Sequence, residues 1–170
     1  GSSCRRPGSR KPVSGFVLTN SRSDVLAEVV NMGVGLAAGI LQSMLDCHIE
    51  LRIPRVELIS PDELNDRLAC RPSPETSSVL LSFSGSLVGD SIMVFSRPAA
   101  RKLVSLLTGE AEESPDVDLL CGSTVTEVGN IVLNGIVGTL TNTLGLSVDY
   151  EVPCYSERAI VDCLNWRGHL

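Results

Sequence analysis

Two stretches of equal length decide the fold: Leu26–Leu41, LAEVVNMGVGLAAGIL, and Val125–Leu140, VTEVGNIVLNGIVGTL. In and around the first, Val25, Leu26, Val29, Val30, Met32, Leu36, Ile40, Leu41 and Met44 recur at helical spacing. They predict a helix from about Ser23 to Leu45 whose apolar stripe points into the core. Ser23 or Asp24 can cap its start. Gly33, Gly35 and Gly39 weaken such a helix, so close packing must compensate. The second stretch predicts a helix from near Asp118 to Leu144. Sliding the chain by 99 residues sets Glu28 on Glu127, Asn31 on Asn130, Gly39 on Gly138 and Pro54 on Pro153 without a gap. The chain carries an internal duplication.

Outward from the helices, Ile49–Ile59 and Leu146–Val152 read as the strands that follow each copy. Pro61–Pro74 is a Pro-bounded loop with a helical turn at Asp62–Ala69. Val79–Ser84 and Ser91–Ser96 flank Gly85 and Gly89 as a hairpin. Pro98–Thr108 has Pro at its start and Gly109 at its stop, the pattern of a short amphipathic helix, and Glu110–Asp118 is an acidic connector. The expected fold class is α+β: duplicated helix–strand units with long helices packed on a largely antiparallel sheet. Residues 1–15 read as a disordered or vector-derived lead-in. Residues 16–170 read as one domain, with repeats at about 23–109 and 118–170.

The composition narrows the function. Of 170 residues, 43% are apolar, which excludes wholesale disorder. Lys and Arg number 14 against 20 Asp and Glu, and aromatics are 4%, so neither a basic face nor stacking platforms for nucleic acid are on offer. No uninterrupted apolar run approaches a membrane span of about 18 residues. The six cysteines (Cys4, Cys47, Cys70, Cys121, Cys154, Cys163) include no CxxC and no Cys/His pair at zinc spacing. Reduced core thiols in a cytoplasmic protein are the expectation.

The duplication preserves polar residues that a purely structural helix does not need. The copies read Asp24-x3-Glu28-x2-Asn31-x22-Pro54 and Ser123-x3-Glu127-x2-Asn130-x22-Pro153. On a helix, positions i, i+4 and i+7 fall within an arc of roughly 60°. Each trio therefore shares one outward face, continued by Gly35, Ala38 and Gln42 in the first copy and by Asn134 and Thr141 in the second. The plain alternative is that each Glu and Asn is an ordinary solvated residue. Asn is a mediocre helix former, however, and packing does not ask for it mid-helix twice. A dinucleotide-binding reading of Gly33-x-Gly35 fails, because the full GxGxxG spacing is absent and the glycines lie inside a helix.

At these residues the sequence resembles the CheC/FliY/CheX family of response-regulator phosphatases of bacterial chemotaxis. The family signature, Asp or Ser, x3, Glu, x2, Asn, x22, Pro, is met in full by both copies. Two intact copies resemble CheC most, or the phosphatase part of FliY, rather than CheX, which has one. The resemblance covers roughly residues 16–155. In such proteins the second half closes with further strands, whereas here only Cys154–Leu170 follow Pro153.

The resemblance implies a protein phosphatase (a hydrolase) that acts on the phospho-aspartate of a CheY-like response regulator. Asn31 and Asn130 would orient the attacking water, a task that suits a group both donating and accepting hydrogen bonds. Glu28 and Glu127 would pair with the regulator's active-site lysine and fix the docking register. Asp24 and Ser123 would support the helix start, and Pro54 and Pro153 would edge strands. No cofactor belongs to this chain; the divalent metal, Mg, would sit in the partner regulator. No nucleic-acid partner and no membrane span are expected. The resemblance leaves a non-catalytic reading open, in which the same helices dock a regulator, a flagellar-switch component or the deamidase CheD. For CheD, Pro98–Thr108 is the corresponding segment, although Ala99, Leu103, Leu106 and Leu107 equally suit core contacts. His48 reads as a strand-edge residue, and Trp166 as core or contact.

Overall fold

The computed structural model describes residues 20–45, 55–69 and 76–157. Within them the chain runs α1 (Asn20–Leu45), α2 (Pro61–Ala69), β1 (Thr76–Gly85), β2 (Gly89–Ser96), α3 (Arg97–Thr108), α4 (Pro115–Thr143), β3 (Val148–Tyr150) and β4 (Cys154–Ser156). Outside the described residues fall Pro54, the lead-in over 1–15, His48, Trp166, Cys4, Cys47, Cys70 and Cys163. The apolar run Ala159–Leu164 and the first part of the strand expected over Ile49–Ile59 fall outside them as well.

Local chemistry sets the helix ends. Ser96 caps α3 by accepting from the Ala99 N–H, Pro98 occupies the first turn, and Gly109 closes the helix in the left-handed region at φ 77°. The same Ser–Pro device starts α4: Ser114 accepts from the Asp116 N–H and Pro115 opens the helix. The connector is therefore shorter than its acidic composition suggests, and Asp116 and Asp118 lie in the first turn, where the helix dipole favours them. Arg101 of α3 pairs with Asp118 and donates to the Glu112 carbonyl at 2.7 Å, which ties the connector to both helices.

The sheet is antiparallel and α+β in its setting. β1 is central: β2 pairs with it from Thr76↔Ser96 to Phe83↔Gly89. Along the other edge, β3 pairs at Phe83–Gly85 and β4 at Ser78–Leu80, end to end. Between them, two residues of β1 (81 and 82) face three (151–153), so the strand bulges. Pro153 stands in that bulge, where its missing N–H breaks no ladder bond, while the Glu151 N–H still reaches the Ser82 carbonyl at 2.9 Å. The strand expected to end at Val152 thus resumes beyond the proline.

Helix α4 lies on this sheet and α1 lies on α4. Gly129 of α4 crosses β1 so closely that a Cβ there would come within 2.7 Å of the Val79 Cβ. Roughly 120° round the helix, Gly135 meets α1: a Cβ on Gly33 would stand 2.7 Å from the Gly135 carbonyl oxygen. One core cluster joins Val79 and Leu81 of β1, Ala100 and Val104 of α3, and Val117, Cys121, Val125 and Leu133 of α4. A second joins Ala37 and Leu41 of α1 to Val128 and Val132 of α4.

Three sequence expectations are corrected. The apolar stripe of α1 does not enter the core as a whole. Val29, Gly33, Ala37 and Leu41, a row at i+4 spacing, are buried, whereas Met32, Leu36 and Met44 are each 57% exposed, with Val25 and Ile40 also out. Packing runs through the small residues, because Gly33 and Ala37 let the two backbones approach. Residues 55–60 are irregular rather than strand, whereas the helical turn expected at Asp62–Ala69 is present as the nine-residue helix α2. Ser23 and Asp24 lie inside α1 instead of capping it. By length and composition alone α1 and α4 also reach what a membrane span needs, a property that the core helix of a soluble protein shares.

Candidate functional site

Helix geometry puts each trio on one face, and the two faces sit in different surroundings. On α1, Asp24, Glu28 and Asn31 are all exposed, as are Gly35 and Gln42 further along, with Ala38 half-buried. Among the described residues none of the three makes a side-chain hydrogen bond or ion pair. The neighbours Val29 and Val34 are buried, so the helix is anchored from behind while the Glu–Asn face is free.

On α4 the trio is more embedded. Ser123 and Glu127 are exposed and Asn130 is half-buried, between the buried pair Val128–Gly129 and buried Val132. Asn130 Oδ1 accepts from Asn134 Nδ2 at 2.7 Å, one helical turn on. Ser123 is not at the helix start, which Ser114 caps; its hydroxyl donates back to the Leu120 carbonyl at 3.1 Å. Glu127 and Ser123 stand on the wall of a groove of about 420 Å³, completed by Thr124, Val128 and Ile131 of α4, Leu41 and Met44 of α1, and Leu107 and Thr108 of α3. The expected continuation through Thr141 does not occur. Thr141 is buried and bonds to the Val137 carbonyl at 2.9 Å, because α4 turns that side toward its neighbours.

Other singled-out residues lie off these faces. Pro153 is half-buried in the strand bulge, and Pro54 is outside the described residues. Cys121 is a buried core thiol as expected, but Cys154 is exposed; both are free. In α3, Leu103 and Leu107 pack on the second core cluster, while Leu106 and Ala99 are exposed. The displaced pKa values belong elsewhere too. Burial pushes the Tyr155 phenol well above the usual tyrosine range, and its hydroxyl donates to Glu157 at 2.8 Å. The Arg67 guanidinium lowers the exposed Glu57 carboxyl through a hydrogen bond. Among the described residues no three His, Cys, Asp or Glu side chains cluster as metal ligands would.

The sequence pattern pointed to Glu28, Asn31, Glu127 and Asn130 but missed two features of the second copy. One is the Asn130–Asn134 bond, which the Asn-x3-Asn spacing carried as a signal. The other is the groove beside Glu127, whose third wall comes from α3 and had no local signature.

No protein-family model matches the chain. It is 27% identical over 139 residues to the CheY-P phosphatase CheC of Bacillus subtilis, across 80% of this chain and 66% of CheC, so it spans just under two thirds of that relative's length. In structure it is similar to FliY of Thermotoga maritima, at a TM-score of 0.69 and 22% identity over 87% of this chain and 74% of FliY. It is also similar to CheX from a CheX–CheY–BeF3–Mg complex of Borrelia burgdorferi, at a TM-score of 0.55 and 22% identity over 82% of each chain.

Proposed function

Starting from the CheC/FliY/CheX family, which the likeness to CheC over most of the chain and the shared fold support, we propose that this chain is a protein phosphatase acting on the phospho-aspartate of a CheY-like response regulator. The observation that carries this reading is the pair of Glu and Asn residues, three positions apart, that both α1 and α4 turn outward from anchored helices. An acyl phosphate is already activated, so its hydrolysis asks chiefly for a water held in line with phosphorus. The water oxygen bonds to phosphorus, the acyl P–O bond breaks, and the aspartate leaves as carboxylate beside inorganic phosphate.

Asn31 and Asn130 suit the water-holding task, since a carboxamide accepts a hydrogen from the water and donates to an oxygen next to it. Glu28 and Glu127 suit an ion pair with the regulator's lysine, which fixes the approach without any proton transfer. The metal that balances phosphoryl charge belongs, in this reading, to the regulator. The regulator, the chain and the reaction are all cytoplasmic on the same reading. The test is the rate of phosphate loss from phosphorylated CheY-like regulators with and without the protein: acceleration supports the enzyme, whereas binding with an unchanged rate supports a docking module.

A further inference from the structure

We propose that Asn134 is a positioning residue for Asn130 and makes the α4 site the faster of the two; this rests on the phosphatase reading above. Residues four apart on a helix stand one above the other on the same face. Asn134 Nδ2 donates to Asn130 Oδ1 at 2.7 Å, and both side chains are half-buried. A carboxamide oxygen has two acceptor sites and its nitrogen two hydrogens. With one acceptor site taken by Asn134, the Asn130 plane cannot turn without losing that bond.

The remaining acceptor site and the Nδ2 hydrogens then keep a fixed direction. That is what in-line attack by water needs: the free site takes a hydrogen of the water and turns its lone pair toward phosphorus, while Nδ2 donates to a neighbouring oxygen. Accepting the Asn134 bond also polarises the Asn130 amide and strengthens those donors. On α1 the residue four beyond Asn31 is Gly35. Asn31 is exposed and, among the described residues, has no side-chain partner, so its carboxamide gives up rotational freedom at every turnover. The duplication therefore holds one oriented and one unoriented water-binding amide.

The asymmetry can be removed from either side, because a Cβ at Gly35 meets nothing within 4 Å and an asparagine fits there. Two full-length backgrounds isolate the sites: E127A/N130A leaves α1 and E28A/N31A leaves α4, each assayed on one phosphorylated CheY-like regulator. In the α4-only background, N134A should lower the turnover rate by about 2- to 10-fold, the range a neutral hydrogen bond spans, with the half-saturating regulator concentration unchanged. N134D should do the same, since an acceptor there forces the Asn130 amide to turn over. In the α1-only background N134A should change nothing, and G35N should raise turnover by a similar factor. An unchanged turnover rate for N134A in the α4-only background, or an effect confined to half-saturation, overturns the positioning role while the phosphatase stands. A parent protein that accelerates no regulator overturns the phosphatase reading, and the positioning role falls with it.

Discussion

The two copies of the motif keep the same residues and differ in what surrounds them. The α1 site is open: Glu28 and Asn31 face solvent, glycine stands at 35, and one flank of the helix carries exposed Met32, Leu36, Ile40 and Met44. The α4 site lies on a helix held between the sheet and α1, with Glu127 on a groove wall and Asn130 tied to Asn134. Duplication copied the residues, and position in the fold then set how each copy is held. The same Glu-x2-Asn therefore need not mean the same rate.

The largest effect that could break this comparison is on turnover. Asn31→Ala combined with Asn130→Ala should lower regulator dephosphorylation on the order of a hundredfold, the scale on which misplaced groups act. Both side chains are exposed or half-buried, so the thermal transition should remain cooperative. A lost transition would mean that these residues hold the fold.

Next come the glycines, which separate the packed side of α1 from its motif side. Gly33→Ala drives a methyl to within 2.7 Å of the α4 backbone and should cost about 1–3 kcal/mol. Gly35→Ala, in open space, should instead stabilise by about 0.5–1 kcal/mol. Denaturant unfolding of the two variants reads both signs, and equal signs would contradict the α1–α4 crossing.

The smallest effect concerns the carboxylates. Glu28→Ala and Glu127→Ala should each raise the half-saturating regulator concentration of their own site about two- to fivefold, the range of an exposed ion pair. Both effects should shrink in high salt. The Glu127 effect should shrink less, because apolar groove walls limit screening there. Titration of each single-site background at low and high salt checks this.

Much of this was legible in the residues themselves. The two long helices, the β1–β2 hairpin and α3 followed from apolar period, from Pro98 and from Gly109, whereas the start of α4 at Ser114–Pro115 was hidden in the acidic connector. The motif faces followed from i, i+4, i+7 spacing alone. What was not legible depended on partners distant in sequence. Which of α1's apolar rows would be buried was decided by the meeting of Gly33 with Gly135, and a periodicity shared by two adjacent rows cannot choose between them. Strand β4 was hidden because Pro153 reads as a stop, and only pairing with β1 turns that stop into a bulge. Thr141 looked like part of the motif face, but it is buried, which the helical spacing alone does not reveal.

The central claim is that each helix carries a complete site of its own. The measurement that tests it most directly is phosphate loss from one phosphorylated CheY-like regulator in the presence of the parent, E28A/N31A, E127A/N130A and the quadruple variant. Each double variant should retain acceleration, with E28A/N31A the faster of the two, and the quadruple variant should fall to the regulator's own rate. A quadruple variant as active as the parent, or a single double change that abolishes all acceleration, would contradict two self-sufficient sites.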